Sequence, residues 1–314
     1  MSESFRLRVC YNRNMILRLE NLSKHFGSFK AVDTLNVSVA RGEVVGFVGP
    51  NGAGKTTTIN MILGFTRPTT GSVTVLKQTV STEGAHRQHR EMGYASGDME
   101  LPARLTGRQY LQLIAGIRGD TFEKRLIELS KRFAPQLDKQ IHTLSRGNKQ
   151  KIALIGAFIA SPKLVVLDEP TSGLDPIMQE RFMELIREEQ QRGTTIFMSS
   201  HYLGEIAELC SRILLMQHGK IIEDVAANEL LSRGGRMVTV VTSHKRTVAP
   251  KGAEHVIKET VDGMLRLQFA WKHEAPPLQV WLAGVKGLVD MEVSEYSLES
   301  AFQKMYKDET GDAG

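Results

Sequence analysis

Nine consecutive residues, Gly49-Pro50-Asn51-Gly52-Ala53-Gly54-Lys55-Thr56-Thr57, carry the pattern G-x-x-x-x-G-K-[ST]. Glycines at this spacing let backbone N–H groups close around phosphate oxygens, and a helix opening straight after the loop adds positive potential at its N-terminus. In that chemistry Lys55 reaches the β and γ phosphates of a nucleotide and the Thr56 hydroxyl ligates Mg²⁺. A second stretch, Lys163-Leu164-Val165-Val166-Leu167-Asp168-Glu169, is an apolar run ending in two carboxylates. Adjacent side chains at a strand end point different ways, so the pair can divide the work. Asp168 would face the hydration shell of Mg²⁺, and Glu169 a water that it polarises as general base. Taken alone, two carboxylates there read equally well as a solvated helix start.

These groups need elements to hold them. Val44 to Val48 is an apolar run ended by glycine, as expected of a buried parallel strand just before the glycine-rich loop. Upstream, Ile16, Leu17, Leu19 and Leu22, then Leu35, Val37 and Val39, alternate like strands. Downstream, strands are expected at 92–95, 164–167, 194–198 and 213–216. Amphipathic helices fall between them, Pro176 to Gln191 and Lys149 to Ala160 among them, and residues 104–142 read as mostly helical. The alternation implies an α/β fold with a largely parallel sheet. At Ser232-Arg233-Gly234-Gly235 the pattern changes to short strands at 237–242 and 265–269 and helices at 276–283 and 298–306. The expected organisation is a basic extension over 1–14, a main domain over 15–232 with a helical subdomain at about 104–160, a small α+β domain over 235–306, and a tail from 307.

Composition restricts the function classes. The 314 residues, 41% hydrophobic and 24% charged, suit about two globular domains and exclude wholesale disorder or a disulfide scaffold. Lys and Arg exceed Asp and Glu by 40 to 35, a net +5 with both signs interspersed. Without a long basic block, stable nucleic-acid binding is not expected. Cys10 and Cys210 have neither metal-ligand nor redox spacing. Crossing a bilayer takes ~20 mostly apolar residues, and no uncharged stretch exceeds about a dozen, so any membrane role is expected to fall to another chain.

What lifts Asp168 and Glu169 above a solvated pair is the company they keep. Leu144-Ser145-Arg146-Gly147-Asn148 stands shortly before the apolar run, Ser172-Gly173-Leu174-Asp175 follows Glu169-Pro170-Thr171, and Ser199-Ser200-His201 follows the next strand. In combination the sequence resembles an ATP-binding cassette (ABC) ATPase, the motor subunit of ABC transporters, over about residues 16–232. The resemblance implies a P-loop NTPase fold of ABC type, with a mostly parallel core sheet, an antiparallel β subdomain and an inserted helical subdomain. It equates 49–57 with the Walker A loop and 164–169 with Walker B. It makes 144–148 the signature loop, 172–175 the D-loop and His201 the switch histidine, which would hydrogen-bond the γ-phosphate and position Glu169 and the water.

By the same likeness Phe26 would stack on adenine, although an aromatic after a strand is more often core packing. Ser145 and Gly147 would contact the γ-phosphate of an opposed subunit, and Asn148 and Asp175 would also belong to the nucleotide-binding set. Two loops depart from the family's commonest residues. In the first, Arg146 and Asn148 stand where glycine and glutamine are usual. After the strand at 92–95, where the family places glutamine, this chain has Ser96-Gly97-Asp98-Met99-Glu100. Asp98 is thus either a substitute metal ligand or part of a loop that only transmits movement to a permease.

Long coiled-coil or zinc insertions between Lys55 and Ser145 are absent from the sequence, and one set of motifs is present. The expectation is an ATP- and Mg²⁺-dependent exporter subunit at the cytoplasmic face of the membrane. It would dimerise with itself or a related cassette on ATP and drive a separately encoded permease. Tyr296-Ser297-Leu298-Glu299-Ser300-Ala301-Phe302 resembles the appendage of drug, antibiotic, sodium or lipid exporters. The alternative is a soluble ATP-dependent switch acting on ribosome or nucleic acid.

Overall fold

The chain, described here from a computed structural model, is characterised over residues 14–118, 122–201, 203–232, 236–272 and 275–295. Residues 1–13, the Tyr296–Phe302 motif, the helix expected at 298–306 and the tail lie outside the described residues.

Strands β1 (Met15–Phe26) and β2 (Phe29–Ala40) pair antiparallel and bury Leu17, Leu19 and Leu22 against Val39, Val37 and Leu35. The register shifts between Leu19 and Leu22, with Asn21 in the left-handed region at φ 47°. This explains why the apolar spacing there steps from two residues to three. β3 (Val44–Val48) is buried at all five positions. After α1 (Lys55–Ile62), β4 (Thr70–Val75) and β5 (Gln78–Thr79) complete a four-stranded sheet in the order β2-β1-β4-β5.

The chain then runs through α2 (His86–His89), β6 (Met92–Ser96), α3 (Gly107–Arg118), α4 (Glu123–Phe133) and α5 (Arg146–Phe158). It continues with β7 (Leu164–Asp168), α6 (Pro176–Gln191), β8 (Thr195–Ser200), α7 (Leu203–Leu209), β9 (Arg212–Gln217) and β10 (Lys220–Ala226). The second sheet has the order β10-β9-β3-β8-β7-β6. Its pairs β6/β7, β7/β8, β3/β8 and β3/β9 are parallel.

The register of this sheet builds the site. Ser96 lies opposite Asp168, Asp168 opposite Ser199, and Val48 opposite Ser200. The carboxyl ends of β3, β6, β7 and β8 therefore finish level, and the loops leaving them meet in one place, where open α/β sheets bind their ligands.

By Cα proximity the described residues form two units, and His201 and Glu208–Val225 belong to the first. The second contains α8 (Ala227–Ser232), β11 (Arg236–Thr242), β12 (Glu254–Val261), β13 (Met264–Trp271), α9 (Ala275–Ala283) and β14 (Leu288–Glu295). Its antiparallel sheet, ordered β12-β13-β11-β14, packs Val238, Val240, Leu267, Phe269 and Trp271 with Leu278 of α9.

Two expectations are corrected. This unit has four strands where the sequence reading found two. β12 carries Glu254, Lys258 and Glu259, and β14 carries Asp290 and Glu292. In β12 the adjacent Val256 and Ile257 break the period of two by which strands are read, whereas β14 keeps it, Val289, Met291 and Val293 alternating with Asp290, Glu292 and Ser294, a signal left unused. The helix expected from Lys149 begins at Arg146, because the Ser145 hydroxyl caps it by accepting from the Asn148 N–H.

Candidate functional site

The glycine-rich loop connects β3 to α1, and α1 has no side-chain cap: its N-cap is Gly54, at φ 109°. The first N–H groups of the helix are left for a ligand's oxygens. A Cβ at Gly54 would lie 2.3 Å from the Ala31 carbonyl oxygen of β2, so no other residue fits this turn. Ala53 is buried and its carbonyl accepts from the Gly219 N–H at 2.9 Å, while Asn51 and Gly52 are exposed. Thr57 follows within the first turn of α1.

Lys55 is only 6% exposed. Its Nζ donates to the carbonyls of Gly49 at 2.7 Å and Pro50 at 3.1 Å, curling the loop around the ammonium, and lies 3.8 Å from Glu169 Oε1. Burial pulls the ammonium below the usual lysine range, and the carboxylates of Glu169 and Asp168 act to raise it again.

Asp168 and Glu169 diverge. Asp168, 4% exposed, accepts from the Thr56 hydroxyl at 2.8 Å on Oδ2 and from the Ser199 hydroxyl on Oδ1. Glu169 sits at φ 51°, a left-handed conformation rare outside glycine, which swings its side chain away from that of Asp168. Such strain costs on the order of 1 kcal/mol and persists only where neighbours enforce it. Here the Glu169 N–H donates to the Ser199 hydroxyl at 3.1 Å, and the Ser172 N–H donates to the Glu169 carbonyl at 3.2 Å. The Glu169 carboxylate lies 2.6 Å from His201 Nδ1.

The structure thus brings together Lys55, Thr56, Asp168, Glu169 and His201, and adds Ser199, to which the sequence reading gave no role. Its signal was slight: one hydroxyl near the end of the wholly buried strand Thr195–Ser200.

The other candidates lie around this centre. Phe26, 54% exposed, ends β1 with Lys24 Nζ 5.0 Å from its ring centroid. Ser145 and Asn148 bond to each other at 3.3 Å, and the Asn148 side-chain oxygen accepts from the Gln136 N–H. Gly147 leaves no room for a side chain, since a Cβ would stand 2.9 Å from the Gly173 carbonyl. Asp175 caps α6, accepting from the Met178 N–H at 3.0 Å. Asp98 is 89% exposed at its side chain, and its Oδ1 accepts from Arg146 Nη2 at 2.8 Å.

Thr56 and Asp168 supply two adjacent hard oxygen donors, which suits Mg²⁺. Among the described residues no group of three or more His, Cys, Asp or Glu could hold a metal.

Comparison with known proteins agrees with the geometry. Residues 32–172 match the ABC transporter family. The chain is 31% identical over 301 residues to the bacitracin transport ATP-binding protein BcrA of Bacillus licheniformis, covering 92% of this chain and 97% of that protein. It is 33% identical over 223 residues to the Nod factor export ATP-binding protein I of Ralstonia nicotianae, 69% of each chain. Among solved structures, an ATP-binding subunit of an ABC transporter superposes with TM-score 0.65 and 28% identity over 69% of this chain and 92% of that one.

Proposed function

The chain belongs to the ATP-binding proteins of the ABC transporter family, and from that premise we propose that it is the ATP-hydrolysing motor subunit of an exporter, working with a separately encoded membrane permease. The observation that carries the catalytic part is the convergence on Glu169: Lys55 Nζ at 3.8 Å on one carboxylate oxygen and His201 Nδ1 at 2.6 Å on the other. In this reading the loop 49–57 and the uncapped start of α1 bind the triphosphate, and Lys55 offsets charge at its outer phosphates. Glu169 accepts a proton from a water that attacks the γ-phosphorus. The bond to the bridging oxygen breaks and its electron pair leaves with ADP. With its proton on Nδ1, His201 donates to Glu169 and holds the carboxylate in place.

Thr56 and Asp168 would hold Mg²⁺, which when bound screens the phosphate charge. Phe26 would stack on adenine. Ser145, Gly147, Asn148 and Asp175 would serve the nucleotide of a second cassette, either another copy or a related one. The 15–232 and 235–306 domains would then be the motor and an accessory module.

The names of two relatives support this reading, one a bacitracin transport protein and one a Nod factor export protein. Among the described residues no helix is long and apolar enough to cross a membrane; in this reading a separate permease would make the crossing and hold this subunit at the cytoplasmic membrane face. Co-purification of tagged chain from its own cells in mild detergent tests it. A partner with about six apolar segments of ~20 residues is expected, whereas recovery with ribosomes and no membrane protein would favour the alternative of a soluble switch.

A further inference from the structure

Three loops end at the site, and one exposed side chain ties them together. Arg146 Nη2 donates to Asp98 Oδ1 at 2.8 Å and to Ser172 Oγ at 3.0 Å. Its aliphatic stem and Nε lie against Gly173, 3.4 to 3.5 Å from where a Cβ would stand. Each tied loop has its own bond to the catalytic strand end. The Gly97 N–H donates to the Asp168 carbonyl at 2.9 Å, and the Ser172 N–H to the Glu169 carbonyl. A different bond fixes the same helix: Gln150 Nε2, on a side chain 3% exposed, donates to the Pro170 carbonyl at 2.8 Å.

These two attachments of α5 differ in kind. The Gln150 bond is buried and shielded from water, so it behaves as a pivot. The Arg146–Asp98 pair is 62% and 89% exposed, so water and salt compete with it and it can open and close at little cost. Arg146 and Asp98 each stand in a loop that departs from the family's usual residues, and they are bonded to each other.

We propose that Arg146 and Asp98 form a breakable latch that, about the Gln150 pivot, couples the loop after β6 to the signature and D-loops. Arg146 is thus a positioning residue: its guanidinium sets Ser172, whose N–H helps hold the strained Glu169. The latch reports displacement of loop 96–100, the loop expected to sense the permease, to the residues that serve the nucleotide. This rests on the reading of Glu169 as the hydrolytic base, but the latch itself is testable without hydrolysis.

The test is a double-mutant cycle in the full chain with Asp98→Ala, Arg146→Ala, the double variant and the exchanged pair Asp98→Arg/Arg146→Asp. Each is read by kcat and KM for ATP and by amide hydrogen exchange over residues 96–100 and 169–175. Each single variant should lower kcat about two- to fivefold with KM little changed, the scale of an exposed pair. The double should be no worse than either single, and the exchanged pair should recover part of the loss. Arg146→Ala should speed exchange in 96–100 although that loop was not altered, and 0.5 M salt should shrink the difference. Additive losses, or unchanged exchange in 96–100, would overturn the latch. So would a Mg²⁺ titration midpoint that moves in Asp98→Ala but not in Arg146→Ala, since that marks Asp98 as a metal ligand. A wild-type chain without ATPase activity would count against the hydrolytic reading, and the exchange data would still decide the latch.

Discussion

Ser199 does at the residue scale what no motif announces: one hydroxyl donates to Asp168 and accepts from the Glu169 N–H, fixing two adjacent carboxylates in divergent directions. Ser199→Ala should lower kcat about tenfold, because Glu169 loses a bond that holds it at φ 51°. It should cost ~1–2 kcal/mol in urea unfolding for the unpaired groups left behind. Loss of stability with kcat untouched would show that Ser199 only packs. Lys55 and Asp168 were legible in the sequence because their chemistry is written in contiguous residues. Ser199 was not, since its partners sit across a strand register that only the folded sheet supplies. Cys210 is simpler: burial pushes its thiol far above the ordinary range. In a Cys10→Ser background a disulfide reagent at pH 8 should leave the native chain unlabelled and label it once it is unfolded in guanidinium; rapid native labelling would contradict that burial.

At the scale of elements, a charged seam joins α4 to α6. Glu189, 1% exposed, receives Arg125, Arg192 and the Thr194 hydroxyl, while Glu128 on α4 bridges Arg125 and Arg192 at the surface. Removing a buried partner strands the opposing charge, so Glu189→Ala should cost ~3–5 kcal/mol in urea unfolding. Glu128→Ala should cost under ~1 kcal/mol, and equal losses would refute the division between buried and exposed members. The hydrogen bond from Arg125 holds the Glu128 carboxyl below the usual range. Its contribution is therefore complete above the ordinary glutamate value and is lost only as pH falls through the lower folded one. Elements such as β3, β7 and α6 could be read in advance because a wholly apolar run or a regular amphipathic stripe with Asp175 and Pro176 at its start leaves little choice. β12 could not, its partner in the sheet being what makes it a strand, while β14 was legible in the alternation of Val289, Met291 and Val293 with polar residues.

For the whole molecule, the central question is whether one chain suffices. Ser145 and Asn148 bond to each other, and Gly147 is packed on Gly173. A nucleotide held by both the Lys55 loop and the signature loop is expected to need a second cassette. Light scattering of Glu169→Gln with ATP should give about twice the 35.0 kDa chain mass, returning to one chain with ADP. A strict monomer, even with its permease present, would contradict the shared site.

Phosphate release by the purified chain, measured beside Glu169→Gln with retained labelled ATP counted in the same samples, bears most directly on the motor reading. The expected result is Mg²⁺-dependent hydrolysis by the wild type and a ~10²- to 10⁴-fold slower rate in the variant, with ATP binding preserved. Full turnover by Glu169→Gln, or no hydrolysis by a wild-type chain that binds ATP and has its partners, would contradict it.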